Sequence, residues 1–189
     1  MIYLFNFTHN SKQVRKLQNN ELKRLSVEQF KNSKKQPIVI VLDNIRSALN
    51  VGSIFRLADA FLLKKIILCG ITACPPDKNI NKVALGATES VTWEYEEETE
   101  NAIKKLKDRG YKIIAVEQAE NSTYLEEYNN NSSPIALVFG HEVNGVSQNI
   151  INICDEIIEI PQFGTKHSLN ISVSAGIVVW ELWKIVRNK

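Results

Sequence analysis

Three short stretches hold most of the residues whose types and spacing can do chemistry. "IPQFGTKHSLNISVSAGIVVWEL" (160–182) leaves an apolar run at Ile160 and Pro161. It crosses a loop rich in Gly, Thr, Lys, His, Ser and Asn, then enters a long apolar segment. Gly164 permits a sharp bend there, and either Ser168 or Asn170 can cap the helix that follows. "FGHEVNGVS" (139–147) sets two glycines around His141 and Glu142, whose carboxylate can accept hydrogen bonds from a ligand or from neighbouring loop amides. "DNIRSALNVGSIFR" (43–56) offers Asn50 as a helix cap and Gly52 in the first helical turn, where a backbone or a ligand can come close. Its Arg56 carries a fork of donors that suits phosphate or carboxylate, or else is a surface arginine.

Several chemistries are excluded. Ser168 beside His167 has no G-x-S-x-G elbow, and adjacent residues rarely point the right way for a hydrolase. "HEVNG" fails the H-E-x-x-H zinc pattern at Gly145, and His9, His141 and His167 lack metal-ligand spacing, so no metal is expected. Neither G-x-G-x-x-G nor G-x-x-x-x-G-K-[ST] follows the first apolar run. An ordinary dinucleotide site and a P-loop are therefore not expected.

The elements that must position these loops alternate. Short apolar runs at 37–43, 65–70, 90–95, 111–117, 134–140 and 155–161 read as strands. Helical spacing follows at 50–62 and 96–110, with a short helix in "NKVALGA", another in "SQNIINIC" and a last one from Asn170 to about Arg187. Residues 121–133 read as a polar loop. The expected fold is α/β: a mostly parallel sheet with helices on both faces, and ligands beyond the carboxyl ends of its strands.

Before the first strand lies an arm, residues 1–36, expected to be helical, with Ser26 and Gln29 forming a capping box. Eight Lys or Arg against Glu21 and Glu28 give it +6. The whole chain carries +2, so residues 37–189 carry −4. A basic arm on a mildly acidic body fits a phosphate-rich partner or an ordinary solvated helix pair. The 189 residues, 44% hydrophobic, suffice for one domain plus the arm. Three scattered cysteines suggest reduced thiols in a cytoplasmic protein. No signal peptide is convincing, and the C-terminal apolar run, broken by Glu181 and Lys184, is too short for a membrane.

Taken together, the three loops resemble the SpoU/TrmH group of RNA ribose 2′-O-methyltransferases, in the SPOUT superfamily. N-x-G-x-x-x-R is Asn50 to Arg56, F-G-x-E-x-x-G is Phe139 to Gly145, and I-P-x-x-G-x-x-x-S-L-N-x-S-V-x-A-G is Ile160 to Gly176. The resemblance implies a C-terminal trefoil knot whose loops bind S-adenosylmethionine through Gly140, Ile160 and Leu169. It also implies a homodimer through the last helix. It places Arg56 at the reacting hydroxyl with Asn50 nearby, while Glu142, Ser168 and Asn170 shape the pocket. Arginine is a poor base, so a role in stabilising the developing alkoxide is preferred, with the family's general-base role left open. The wording of the third motif looks closer to the tRNA guanosine enzymes. An rRNA enzyme is the alternative, and a non-catalytic RNA-binding homologue a further one. His141, Gln162 and Phe163 depart from the usual pattern.

Overall fold

A computed structural model describes residues 14–129 and 134–187. Helix α1 (Val27–Asn32) precedes strand β1 (Gln36–Asp43), α2 (Ala48–Ala60), β2 (Leu63–Cys69), α3 (Lys78–Ala84), α4 (Ala87–Ser90) and β3 (Trp93–Glu96). Next come α5 (Thr99–Lys107), β4 (Lys112–Val116), β5 (Thr123–Tyr124), β6 (Ile135–Phe139), α6 (Gln148–Ile151), β7 (Glu156–Glu159) and α7 (Ile171–Arg187). The strands form one parallel sheet in the order β3-β2-β1-β6-β4-β7-β5.

The central strands are apolar on both faces because both faces are covered. In β1, Ile38, Ile40 and Leu42 enter a core shared with α2, α3, α4 and α7, while Val39 and Val41 enter a second core with α5 and α6. Phe30 of α1 is buried in the first core and fixes the arm there, so arm and sheet share packing. The capping box forms as expected: Gln29 N donates to Ser26 Oγ at 3.1 Å and Ser26 N to Gln29 Oε1 at 2.9 Å.

Five expectations need correction. The arm is less helical than expected: its described part holds one short α-helix and a 3-10 turn at Asn19–Glu21, and it is otherwise irregular and mostly exposed. Its first thirteen residues, with Lys12 and His9, lie outside the described ones. The expected 90–95 strand starts at Trp93, because Ser90 ends α4, and the last strand ends at Glu159 rather than Pro161. "NKVALGA" is two helices broken at Leu85 and Gly86, both in the left-handed region. Within 121–133, Thr123 and Tyr124 pair with Ile158 and Glu159 as an edge strand. Both are exposed, so no apolar pattern marks them. Among the described residues, no helix is long and apolar enough to cross a membrane.

Candidate functional site

The loops after β1, β6 and β7 meet beyond the carboxyl ends of the sheet. Glu142 is the junction. Its Oε1 accepts from Ser47 N and from the Asn50 side-chain amide, and its Oε2 from Arg46 N, each at 2.9 Å. Asn50 Oδ1 in turn accepts from Asn170 Nδ2 at 3.2 Å. A carboxylate only accepts, so Asn50 must turn its NH2 to Glu142 and its oxygen to Asn170. Asn170 Oδ1 accepts from Ser172 N at 2.9 Å, which leaves its NH2 for Asn50. One residue from each motif thus forms a chain, Asn170 to Asn50 to Glu142.

Two cap assignments resolve here. Asn50 is not the cap of α2. Ser47 is, three residues earlier, with its Oγ accepting from Asn50 N at 3.4 Å. That frees the Asn50 side chain for Glu142. At α7, the residue that caps is Asn170 rather than Ser168. Burial alone would raise the Glu142 pKa, but hydrogen bonds from Arg46, Asn50 and Ser47 outweigh it and hold the carboxyl below the usual glutamate value.

Beside this chain lies a cleft of about 470 Å³, lined by Gly140, Glu142, Ile160, Ser168, Leu169 and Asn170 among others. Six of the eight residues singled out in the sequence therefore share one cavity. Asn50 touches it through Glu142 and Asn170. Arg56 does not line it. It is exposed on α2, and among the described residues it has no ion-pair or hydrogen-bond partner. Gly140 must be glycine: a Cβ would stand 2.1 Å from Gly145 C and Val146 N. Gly52 serves packing rather than a ligand, since a Cβ there would stand 2.5 Å from Ile80 O of α3. His141 holds its own turn: Nδ1 accepts from Val143 N at 3.0 Å and Asn144 N at 3.3 Å.

Other residues of the site were not singled out. Glu117 and Gln118, just past β4, line the cleft. They follow a buried strand at its carboxyl end, the same signal that marked the other three loops. Asp43, buried at the end of β1, accepts from Thr99 Oγ1 at 2.6 Å and Ser147 Oγ at 2.9 Å, so it ties elements together rather than facing the cleft. Among the described residues no cluster of His, Cys, Asp or Glu is fit to hold a metal.

A sequence model of the SpoU rRNA Methylase family matches residues 37–180, a span that contains the whole Asn170–Asn50–Glu142 chain. The chain belongs to this family. A protein of Staphylococcus saprophyticus, assigned by name to the TrmH family of tRNA/rRNA methyltransferases, is 34% identical over 158 residues, covering 84% of this chain and 63% of its own. The tRNA (guanosine(18)-2'-O)-methyltransferase of Aquifex aeolicus is 32% identical, covering 85% of this chain and 74% of its own. The 23S rRNA (guanosine-2'-O-)-methyltransferase RlmB of Ralstonia nicotianae is 31% identical, covering 77% and 57%. The chain thus spans only about three-fifths of several SpoU relatives it matches. Among solved SpoU structures, the A. aeolicus TrmH/SpoU tRNA modifying enzyme superposes with a TM-score of 0.76 at 25% identity, covering 86% of this chain and 81% of its own. The AdoMet-bound rRNA methyltransferase of Sinorhizobium meliloti gives 0.74 at 26%, covering 80% and 57%.

Proposed function

We propose that this protein methylates a ribose 2′-OH of RNA, with S-adenosylmethionine as methyl donor and tRNA as the favoured substrate. The observation that carries the reading is the hydrogen-bonded chain from Asn170 through Asn50 to Glu142, set against the cleft. The cleft suits the cofactor. Its volume lies in the range of small-molecule sites, about 300–1,000 Å³, it combines apolar and polar walls, and Gly140 lets its wall close directly on the Gly145–Val146 peptide.

When bound, the cofactor supplies a methyl already activated on a sulfonium. The protein's task is to bind, align and stabilise. Gly140, Ile160 and Leu169 are the residues to hold the cofactor, by backbone and apolar contact. Asn50, Glu142 and Asn170 fix the three loops against one another, and Ser168 shapes the mouth. Arg56 is assigned to the substrate: its guanidinium is suited to stabilise the alkoxide that develops at the 2′-oxygen and to anchor a neighbouring phosphate. A role as general base is not favoured, because guanidinium has no readily lost proton.

The reading includes a homodimer. Val173, Ile177 and Trp180 lie one helical turn apart and stay exposed on α7, an apolar stripe beside α2, where Phe61 meets Trp180. Arg56 stands on α2 outside the cleft of its own protomer, so pairing of two copies through this face is also the means to bring arginine and cleft together. It includes, too, the knotted C-terminal segment of the family: β7 lies between β4 and β5, and the chain then returns across the cleft to pack α7 on β1 and α2. Residues 1–36 are assigned as the basic arm and 37–189 as the methyltransferase domain.

Methylation of rRNA is the second reading, favoured by the RlmB relative at nearly the same identity as the tRNA enzyme. Transfer of tritiated methyl from S-adenosylmethionine to total tRNA and, separately, to rRNA, both from a host lacking this gene, decides between them. Label in tRNA that vanishes with Arg56→Ala is the expected result. Label in rRNA alone establishes the second reading. Cofactor binding without label in either RNA would point to a non-catalytic homologue, and no cofactor binding would overturn the assignment.

A further inference from the structure

We infer that Glu117 is a positioning residue for this methyl-transfer site, holding the 139–147 loop in the shape that receives the cofactor; the inference rests on the reading above. None of the three motifs contains Glu117. It follows directly on β4, and its own N–H still donates to Ile158 O of β7 at 3.1 Å, so its backbone is anchored to the sheet.

The carboxylate faces the loop. Oε2 accepts from Val146 N at 2.9 Å, and Oε1 accepts from Gln118 N at 2.8 Å. The fit around it is close. A Cβ on Gly145 would lie 2.2 Å from Glu117 Oε2, and Gly145 has φ +67°. Both space and backbone conformation therefore require glycine there. Gly140 leans on this same Gly145–Val146 peptide, with room for no side chain between them. Glu117 thus grips the peptide that backs the cofactor wall. Its neighbour Gln118 extends the grip to the third loop, donating from Nε2 to His167 O at 2.7 Å. The end of β4 joins the loops after β6 and β7 on the side of the cleft away from α2, while Asn50 joins them on the α2 side.

The charge matters as well as the shape. Two backbone N–H groups donate to the two carboxylate oxygens, so a glutamine would turn its NH2 toward one of these donors. Alanine removes both acceptors. A positioning role predicts loss of cofactor affinity with turnover retained once the site is filled.

The test measures binding of S-adenosylhomocysteine by calorimetry, KM for S-adenosylmethionine, kcat on RNA, and Tm, in the full chain. Glu117→Ala is expected to raise both Kd and KM about tenfold or more, with kcat at saturation within about twofold. Glu117→Gln, which keeps one acceptor bond, is expected to give a smaller loss in the same direction, and it carries the test if the alanine variant fails to fold. Gly145→Ala should also weaken binding. Combining it with Glu117→Ala, which makes room for the new methyl, should cost less than the product of the two single effects. Normal wild-type binding with affinity unchanged in both Glu117 variants overturns the inference alone. So does a loss confined to kcat, because that would put Glu117 at the reacting groups. Absence of binding by the wild type overturns the methyltransferase reading and the inference with it.

Discussion

The side-chain amide of Asn50 donates to Glu142 Oε1 at 2.9 Å across 92 positions of sequence. The contact joins the start of α2 to the turn after β6, and the same carboxylate also takes the N–H groups of Arg46 and Ser47. Glu142 therefore does for α2 what an N-terminal cap does, from a distant loop.

Glu142→Ala should leave those donors without an acceptor and cost roughly 1.5–3 kcal/mol, measured by urea unfolding. The pH dependence has a definite sign. The folded carboxyl titrates below its ordinary value of 4.5, so its contribution is full above that value and is lost as pH falls through the lower folded one. A wild-type protein whose stability curve at acid pH matched that of the alanine variant would contradict this.

Arg56 lies outside the cleft that Gly140, Ile160 and Leu169 line. Arg56→Ala should therefore lower kcat by about 100-fold or more while the affinity for S-adenosylhomocysteine stays within a few-fold. Calorimetry and single-turnover kinetics on the same preparation separate the two. Equal loss of both would move Arg56 from substrate to pocket support.

The apolar stripe Val173, Ile177 and Trp180 should be covered by a second copy. Ile177→Glu should convert a dimer to a monomer with unchanged circular dichroism, because Ile177 is exposed within one protomer. Sedimentation equilibrium gives the mass. A wild type that is monomeric at every concentration, or a variant that stays dimeric, removes this face as the interface.

Lys16, Lys23 and Arg24 are exposed on the arm, while Arg15 is paired with Glu21 at 2.6 Å. Reversing these charges together with Lys12 should weaken RNA binding. It should also flatten the dependence of log Kd on log salt by roughly 0.7–0.9 for each phosphate that is no longer neutralised. Filter binding between low and moderate salt reads the slope. An unchanged slope would place the main phosphate-binding groups elsewhere, with Arg46 and Arg56 the next to test.

Much of this was legible in the sequence. Runs such as 37–43 announce strands buried on both faces, and the Ser26–Gln29 capping box sets the start of α1 to the residue. Glu142 was open between a ligand and loop amides, and the amides of Arg46 and Ser47 decide it. What escaped has physical causes. Ser47 and Asn50 are both good caps, and only the distant Glu142 shows why Ser47 takes the cap and Asn50 the crosslink. Helical spacing says how far Arg56 is rotated from Asn50, but not what stands opposite. Thr123 and Tyr124 join the sheet by backbone alone, which leaves no side-chain pattern. Glu117 looks like any polar residue after a strand until Gly145 is seen against it.

The strand order also bears on when this site comes into being. β1 pairs with β6, so Val39, set beside Lys65 of β2, waits for Ala136 before its second neighbour exists, and Asn50 waits for Asn170, 120 positions later. A growing chain can assemble β1, β2 and β3 early, yet it holds β1 as an open edge until β6 leaves the ribosome. The contacts that join the three loops all need residues from 142 onward. A chain halted before Asn170 would hold every strand of the sheet and still lack α7 and the link from Asn170 to Asn50.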